Sequence, residues 1–417
     1  MKYFLKFLFS ILPTQLRYAV YRRLVKIPRN VPENIVFKIA DTTDELESAF
    51  KLLHDCYVDV GLMKPDASGM RVTPYHALPS TTTLVAKVQN DVVATLTIIR
   101  DSPMGLPCDS FVDLTGLRSG GDRIAEISAL AIKRGYRGSL LFYLLKFMYE
   151  SCVNCLGVDH LIATLTTDSQ SNALYESILF FKPIDSKPEI NYAFSNFRPV
   201  IAEHLNLHEA HDIFKKYYSE KNPKRDLFSF FTKEVFKFNQ FPDRRYHMID
   251  YSVMTVENFK YFFIDKSSAL KNMPIEKLQA LATIYWSKPQ IELINNELSM
   301  HNVVLLKKLT RKNRFHVCNK NVTISDNGSL FPARLLDVSN MGIRISCGEK
   351  ISDNFEIIIN DYLGKRTHLA VEVKWRNNGG VFGLSVLRAD DSWHEMINFF
   401  EHKASFDMNP LQSRKSS

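Results

Sequence analysis

The N-terminal half of the chain is organised around the stretch Arg123-Ile124-Ala125-Glu126-Ile127-Ser128-Ala129-Leu130. Its apolar residues predict a β-strand, and residues 138–152 predict an apolar helix. Burying a charge is costly, so a carboxylate within an apolar strand is expected to be either paired or functional. Glu126 is therefore a candidate catalytic group, and the alternative is a solvent-facing glutamate that pairs with Arg123 or Arg100.

Strands and helices alternate on both sides of this stretch. The segments predicted as strands are residues 36–40, 82–88, 92–99, 161–165 and the chain from 180 onward, and those predicted as helices are residues 43–56 and 169–179. Asn90-Asp91 supplies a hairpin turn between two of the strands. This order is typical of an α/β domain, which we assign to residues 35–195.

Two local motifs resemble those of the GNAT acyltransferases. Lys133-Arg134-Gly135-Tyr136-Arg137-Gly138 lies where that family binds the phosphates of its acyl donor, and Asn172-Ala173-Leu174-Tyr175-Glu176 resembles the helix that carries its asparagine and tyrosine. The resemblance implies a donor site at Arg134, Gly135, Arg137, Gly138 and Asn172. It also implies that Tyr175 acts as the acid for the leaving thiolate.

Three further stretches resemble the N-acyl amino acid synthases of the FeeM type, which are relatives of the acyl-homoserine-lactone synthases. They are Cys56-Tyr57-Val58-Asp59-Val60-Gly61, residues 100–109 and residues 117–130. That family moves a long acyl chain from acyl carrier protein to an amino acid. The resemblance therefore implies acyl carrier protein, or else acyl-CoA, as donor, an amino acid as acceptor, and no tightly bound cofactor.

The same resemblance suggests a role for each polar side chain of the predicted site. Glu126 would act as general base towards the acceptor amine, and Ser128 would orient it. Arg100 and Arg118 are candidates for the acceptor carboxylate, because a guanidinium donates two parallel hydrogen bonds. Backbone amides near Leu130 and Ala131 would polarise the thioester carbonyl.

A second motif, Asp337-Val338-Ser339-Asn340-Met341-Gly342, follows the basic residues Lys307, Lys308, Arg311, Lys312 and Arg314 and lies between predicted strands. This combination resembles a PilZ domain, a small β-barrel that binds cyclic di-GMP through RxxxR and (D/N)xSxxG motifs. The resemblance implies a ligand site at Arg311, Arg314, Asp337, Ser339 and Gly342. Thr310 stands where the first motif has an arginine, and Arg311 would substitute for it. The alternative is a barrel that makes protein contacts alone.

The remaining segments are less specific. Residues 196–300 predict an aromatic-rich helical appendage, with helices at 202–220, 227–236, 255–263 and 274–285, whose aromatics fit an ordinary core better than an acyl tunnel. Residues 1–34 are basic and amphipathic, and they predict either a helix against acidic lipid or one docked on the domain. Residues 301–405 form the predicted PilZ domain and 406–417 a flexible tail.

Composition limits the class of protein. The chain has 417 residues, a net charge of +8 and 45% hydrophobic residues, which fits a soluble multidomain protein with anionic partners better than a DNA reader. Six cysteines and no convincing export signal favour the cytoplasm, with contact at the inner membrane surface as an option. Cys152-Val-Asn-Cys155 is a lone pair that predicts buried thiols, and His208-Glu209-Ala210-His211 lacks the spacing of a zinc site.

We therefore expect an α/β GNAT acyltransferase domain with a helical appendage, plus a C-terminal all-β PilZ barrel through which cyclic di-GMP regulates N-acyl transfer. The main alternative is a catalytically inactive cyclic di-GMP receptor that acts through protein contacts. A third hypothesis is an ordinary acetyltransferase that uses acetyl-CoA.

Overall fold

The computed structural model describes residues 13–119, 122–167, 171–184, 188–189, 192–219, 222–242, 253–285, 289–301, 315–339, 341–360, 366–376 and 380–398. None of the helices in these ranges is both long enough and apolar enough to cross a bilayer. Arg311 and Arg314, like residues 1–12 and the predicted tail, lie outside the described residues.

An eight-stranded mixed sheet forms the N-terminal domain. Its strands are β1 (Ile35–Ile39), β2 (Thr81–Val88), β3 (Asp91–Arg100), β4 (Ile124–Ile132), β5 (His160–Thr166), β6 (Lys182–Pro183), β7 (Val200–Asn206) and β8 (Asn239–Gln240). They lie in the order β6-β7-β5-β4-β3-β2-β1-β8. The central pair, β4 and β5, is parallel, and side chains at paired positions of the two strands project from the same face of the sheet.

Helices cover both faces of this sheet. They are α1 (Thr14–Leu24), α2 (Thr43–Asp59), α3 (Thr115–Ser119), α4 (Arg137–Glu150), α5 (Ser171–Ser177), α6 (Leu207–Tyr218), α7 (Leu227–Thr232), α8 (Val256–Lys260), α9 (Ile275–Ile284) and α10 (Gln290–Met300). Helices α4, α6 and α7 share one apolar core with the sheet. Helices α2, α8, α9 and α10 share the other. The aromatics of the appendage are thus mainly core, and Phe230, Phe259, Phe262 and Phe263 are fully buried.

The structure corrects one predicted element. The helix predicted at residues 202–220 begins only at Leu207, because Val200–Asn206 form β7, which pairs with β5. This strand also extends the sheet beyond residue 195, where we had ended the domain. Its partner in the sheet, and not its local sequence, makes this segment a strand.

The N-terminal helix α1 packs against α5. The Tyr18 hydroxyl hydrogen-bonds the Glu176 carboxylate, and Arg22 Nη1 donates to Ser177 O at 3.1 Å. Of the two alternatives for residues 1–34, docking on the domain therefore describes residues 14–24. Further along the chain, Cys152 and Cys155 are buried after α4, which confirms their prediction as buried thiols.

The C-terminal domain is a closed six-stranded barrel, as predicted. Its strands are β9 (Phe315–Asp326), β10 (Ser329–Ser339), β11 (Gly342–Ser346), β12 (Asn354–Asn360), β13 (Arg366–Arg376) and β14 (Val381–Ala389). They close in the order β10-β11-β14-β13-β12-β9, with antiparallel pairing throughout. Alternate residues such as Ile343, Ile345 and Leu384 fill the interior.

Candidate active site

Glu126 lies in the middle of β4 and is only 1% exposed. Its carboxylate accepts two hydrogen bonds. The Cys108 backbone N–H donates to Oε2 at 2.9 Å, and Thr164 Oγ1 of β5 donates to Oε1 at 2.9 Å. Neither partner carries a charge, so the carboxylate is held in place without being neutralised.

This environment changes the acidity of Glu126. Burial raises the pKa of Glu126, and the nearby charge of Asp109 raises it too, while the hydrogen bonds from Cys108 and Thr164 lower it. The result is a pKa of about 7. A carboxylate with a pKa near neutrality can both take up and release a proton at physiological pH. The alternative of an ion-paired glutamate is not what the structure shows, because Arg123 Nε donates to Asp159 and Arg100 Nε donates to Ser80 O.

A loop between β3 and α3 covers Glu126 and supplies the Cys108 amide. Asp109 Oδ2 accepts from Leu106 N at 2.8 Å and from Arg118 Nη2 at 2.6 Å. At Gly105 the backbone has φ +72°, and a Cβ there would lie 2.4 Å from Asp109 Oδ2. Glycine is therefore required at this turn.

The two arginines predicted to bind the acceptor carboxylate are placed differently. Arg118 lies near the site, but its guanidinium donates to Asp101 at 2.7 and 2.9 Å as well as to Asp109. Arg100 pairs in register with Ala125, so its side chain lies on the face of the sheet opposite to Glu126. Arg100 is thus not close to Glu126, and Arg118 is hydrogen-bonded to the loop that contains Asp101 and Asp109.

Strand β4 is irregular immediately after Glu126. Thr95 pairs with Ala131 and Thr97 with Ser128, so two residues of β4 stand opposite Leu96, and one of them, Ala129, has φ +55°. This is a β-bulge. Strand β4 pairs with β5 only over Ile124–Ile127, so the two strands separate where the bulge begins.

This separation leaves a gap between β4 and β5 beyond Ile127. The backbone near Leu130 and Ala131 borders it, as predicted for the groups that polarise the carbonyl. Ser128 is half-buried and shares a face with Glu126, whereas the hydrogen bonds that orient Glu126 come from Cys108 and Thr164.

The predicted phosphate loop begins directly after β4. Arg134, Gly135, Arg137 and Gly138 are all exposed, and Arg137 is the first residue of α4. A Cβ on either glycine would meet nothing within 4 Å. Arg137 Nε donates to Ile132 O at 3.1 Å, which closes the loop on the end of the strand. The loop is thus open to a ligand at the N-terminus of a helix.

Helix α5 carries the other two donor-site residues. Tyr175 is buried, its ring lies 5.1 Å from that of Phe181, and burial raises its pKa, as does the neighbouring Tyr57. Asn172 is half-buried, and its Oδ1 atom has no hydrogen-bond partner among the described residues.

The barrel places its motif at the junction of β10 and β11. Ser339 and Gly342 are paired, and Ser339 Oγ donates to Gly342 O at 3.1 Å. The carboxylate of Asp337 is buried and lies 2.6 Å from Arg344 Nε. Phe315, which begins β9, pairs with Val338. The chain therefore enters the barrel beside this motif.

Sequence reasoning missed several residues of the site. Cys108, Asp109 and Thr164 define the environment of Glu126, and none of them belongs to a motif that indicates this role. Thr164 could have been identified from its position in the fold, because it lies on β5, the strand parallel to β4.

Comparison with known proteins supports this architecture. Residues 48–206 match the family model of the N-acyl amino acid synthase FeeM. No curated protein matches the chain. Similar solved structures include FeeM, an N-acyl amino acid synthase from uncultured soil microbes, with 22% identity over 43% of this chain and 93% of that chain and a TM-score of 0.37.

Two acyl-homoserine lactone synthases are also similar. The CoA-dependent synthase BjaI has 20% identity over 44% of this chain and 87% of that chain, with a TM-score of 0.32. The synthase LasI has 14% identity over 42% of this chain and 93% of that chain, with a TM-score of 0.32. The family-model match falls within the mixed α/β domain, which has a GNAT-like fold and is followed by an all-β barrel.

Proposed function

We propose that the N-terminal domain transfers an acyl group from a thioester to the amine of an amino acid. The observation that carries this proposal is Glu126, a buried carboxylate with a pKa of about 7 on the strand beside the gap between β4 and β5. Such a group is suited to accept a proton from an ammonium or amine at neutral pH. The match of residues 48–206 to a synthase family supports the same chemistry.

In the proposed reaction the amine nitrogen attacks the thioester carbonyl carbon, and Glu126 takes up the proton that the nitrogen loses. Backbone amides near Leu130 and Ala131 stabilise the negative charge on the carbonyl oxygen. The carbon–sulfur bond then breaks, the Tyr175 phenol gives its proton to the leaving thiolate, and the phenolate regains a proton from water while Glu126 releases its own to solvent. The products are an N-acyl amino acid and a free thiol.

We propose a long acyl chain on acyl carrier protein as the donor. The exposed Arg134 and Arg137 at the start of α4 provide positive charge for a phosphopantetheine or a carrier surface. An apolar cavity of about 50 Å³ lies between α4, α6 and the sheet, but its lining residue Leu161 pairs in register with Ala125, so it lies on the face opposite to Glu126. The long acyl chain is therefore proposed from the match of residues 48–206 to a synthase family and not from this cavity.

Turnover with different donors tests this function. The purified protein is mixed with a pool of proteinogenic amino acids and either long-chain acyl carrier protein thioesters or acetyl-CoA, and the products are identified by mass spectrometry. We expect N-acyl amino acids from the carrier thioesters. Exclusive consumption of acetyl-CoA would indicate an ordinary acetyltransferase, and absence of any product would favour the non-enzymatic receptor.

We also propose that the barrel binds cyclic di-GMP and regulates this reaction. Asp337, Ser339 and Gly342 lie together at one end of β10 and β11, as a ligand site requires. On the same strand β10, Arg334 Nη2 donates to both carboxylate oxygens of Asp159, at 3.0 and 2.9 Å. Asp159 directly precedes β5 of the acyltransferase sheet. The strand that carries the ligand motif therefore contacts the catalytic domain.

Calorimetric titration with cyclic di-GMP tests the regulatory site. Wild type is expected to bind, and Arg314→Ala is expected to lose binding because a guanidinium contact to phosphate or guanine is removed. Thr310→Arg restores the missing arginine and is expected to tighten binding about tenfold to a hundredfold, since a charge-assisted hydrogen bond contributes roughly 1.5–3 kcal/mol. Absence of heat from wild type at high micromolar ligand would show that the barrel does not bind cyclic di-GMP.

A further inference from the structure

The loop between α2 and β2 holds an arginine in a fixed position beside the active site. Arg71 N donates to Phe50 O at 3.0 Å, and Arg71 Nη2 donates to Phe194 O at 2.7 Å. The guanidinium carbon also lies 4.6 Å from the centre of the Tyr57 ring. The side chain is half-buried and is held by α2 on one side and by the segment before β7 on the other.

Aromatic residues connect Arg71 with Glu126. The ring of Phe194, whose carbonyl Arg71 contacts, packs 5.9 Å from that of Tyr75 and 5.5 Å from that of Tyr192. Burial and then the charge of Glu126 raise the pKa of both tyrosines, and Arg71 opposes this effect at Tyr192. The phenol of Tyr192 is thus close to both charged groups. Tyr75 Oη donates to Leu106 O at 3.1 Å, in the loop whose Cys108 amide contacts Glu126, so Phe194 and Tyr75 connect the surroundings of the two charged groups.

Arg71 differs from Arg118 and Arg123 in having no carboxylate partner among the described residues. Arg118 is paired with Asp101 and Asp109, and Arg123 is paired with Asp159. Among the described residues, no carboxylate forms an ion pair with Arg71, and the acidic groups that influence its pKa are the phenols of Tyr57 and Tyr192. Burial lowers the pKa of Arg71 because it penalises the charged guanidinium.

A half-buried cation without a counter-ion has lost part of its hydration, and a bound anion recovers some of that free energy. A guanidinium binds a carboxylate through two parallel hydrogen bonds, and Arg71 has donor groups beyond the one that contacts Phe194. We propose that Arg71 binds the α-carboxylate of the amino acid acceptor and so presents its amine to Glu126. This inference rests on the proposed acyl transfer and assigns to Arg71 the role that the sequence suggested for Arg100 and Arg118.

The assignment predicts which acceptors react. An α-amino acid fits both groups, with its carboxylate at Arg71 and its amine at Glu126. Its carboxamide presents the same amine but no negative charge. The donor phosphates have a separate candidate site at Arg134 and Arg137, so loss of Arg71 is expected to affect the acceptor and not the donor.

Arg71→Met and Arg71→Lys test this role, with Arg198→Met as the matched control. Arg198 is also half-buried and also donates to a backbone carbonyl, that of Val60 at 2.9 Å. The acceptors are the amino acid that wild type acylates fastest and the primary carboxamide of that amino acid. The measured quantities are KM for the acceptor, KM for the donor and kcat.

We expect Arg71→Met to raise KM for the amino acid about tenfold to a hundredfold, as the loss of a charged hydrogen-bond pair implies, while KM for the donor stays unchanged. Discrimination between the amino acid and its carboxamide should fall by the same factor. Arg71→Lys should recover part of the lost discrimination, and Arg198→Met should keep the wild-type KM values and discrimination. Undiminished discrimination in Arg71→Met would overturn the assignment.

A binding measurement separates this inference from the proposed function. Ligand-observed NMR with the proteinogenic amino acids, without any acyl donor, reports binding independently of turnover. If an amino acid binds wild type but not Arg71→Met, the carboxylate site stands even when no acyl transfer is found, and only the proposed function fails. If no amino acid binds, or if binding survives in Arg71→Met, the role of Arg71 is overturned.

Discussion

Glu126 and Asp159 are buried carboxylates in the same part of the sheet, exposed by 1% and 2%, but their surroundings are opposite. Glu126 accepts hydrogen bonds from the neutral groups of Cys108 and Thr164, and burial raises its pKa to about 7. Asp159 accepts from Arg123, His208 and Arg334. Burial acts to raise the pKa of Asp159 as well, but Arg123 and Arg334 lower it to about 2.

The difference shows that burial alone does not assign a role to a carboxylate. A buried carboxylate with neutral partners exchanges its proton near pH 7 and can act as a base. One that is surrounded by guanidinium groups stays ionised and serves as a fixed anchor. Glu126, beside the gap between β4 and β5, is of the first type, and Asp159, which joins the sheet to the barrel, is of the second.

The largest expected difference between the two carboxylates is in turnover. Glu126→Gln keeps the shape of the side chain and removes the base, so acyl transfer should fall about 10²- to 10⁴-fold. Asp159→Asn removes an anchor and not a reacting group, so the protein that remains folded should keep its turnover within about tenfold of wild type. Rates measured under the same conditions check this order, and a folded Glu126→Gln protein with full activity would refute it.

The second expected difference is in how stability depends on pH. The pKa of Glu126 is about 7 in the folded state and near 4.5 in the unfolded chain, so the unfolded chain releases its proton first as pH rises. The stabilising contribution is thus present below about pH 4.5 and is lost as pH rises to about 7, by about 3 kcal/mol.

Urea unfolding of wild type and Glu126→Gln at about pH 5 and about pH 7.5 measures this loss. The substitution replaces a titrating group by a neutral one, so wild type should lose stability relative to the variant as pH rises. A stability difference that does not change with pH would mean that Glu126 titrates normally.

The smallest expected effect concerns communication between the barrel and the acyltransferase. Arg334→Met removes the contact to Asp159 but leaves Asp337, Ser339 and Gly342 in place. Cyclic di-GMP should still bind, while the change in acyl-transfer rate that it causes should shrink about two- to thirtyfold, as is typical of residues that transmit coupling. The control is Arg388→Met, an exposed arginine on β14 of the same barrel. An unchanged response in Arg334→Met would show that Asp159 is not part of the coupling.

Local sequence signals sufficed for the elements around Glu126. Within residues 123–150 the sequence predicts an apolar strand with one carboxylate, then a basic loop with glycines, then an apolar helix. The structure has β4 and α4 at these positions. The barrel was predictable for a similar reason, since its strands alternate apolar and polar residues on either side of a turn motif.

The partners of Glu126 were not predictable in this way. Whether Arg100 shares a face with Glu126 depends on the register of β3 against β4, and a shift of one residue reverses the face. Arg71, the proposed carboxylate-binding residue, lies in a loop without a motif, and its position is fixed by Tyr57 and Phe194, which are distant from each other in sequence. Such residues can be identified only from the tertiary structure.

The pH dependence of catalysis tests most directly the claim that Glu126 is the base. The values of kcat/KM for wild type and Glu126→Gln are measured with the same donor and acceptor from about pH 5.5 to about pH 8.5. Ionisation of the acceptor amine affects both proteins equally and cancels in their ratio. We predict that the ratio of wild type to variant rises about tenfold per pH unit below about pH 7 and is constant above it. A ratio that is independent of pH over the whole range would contradict the account.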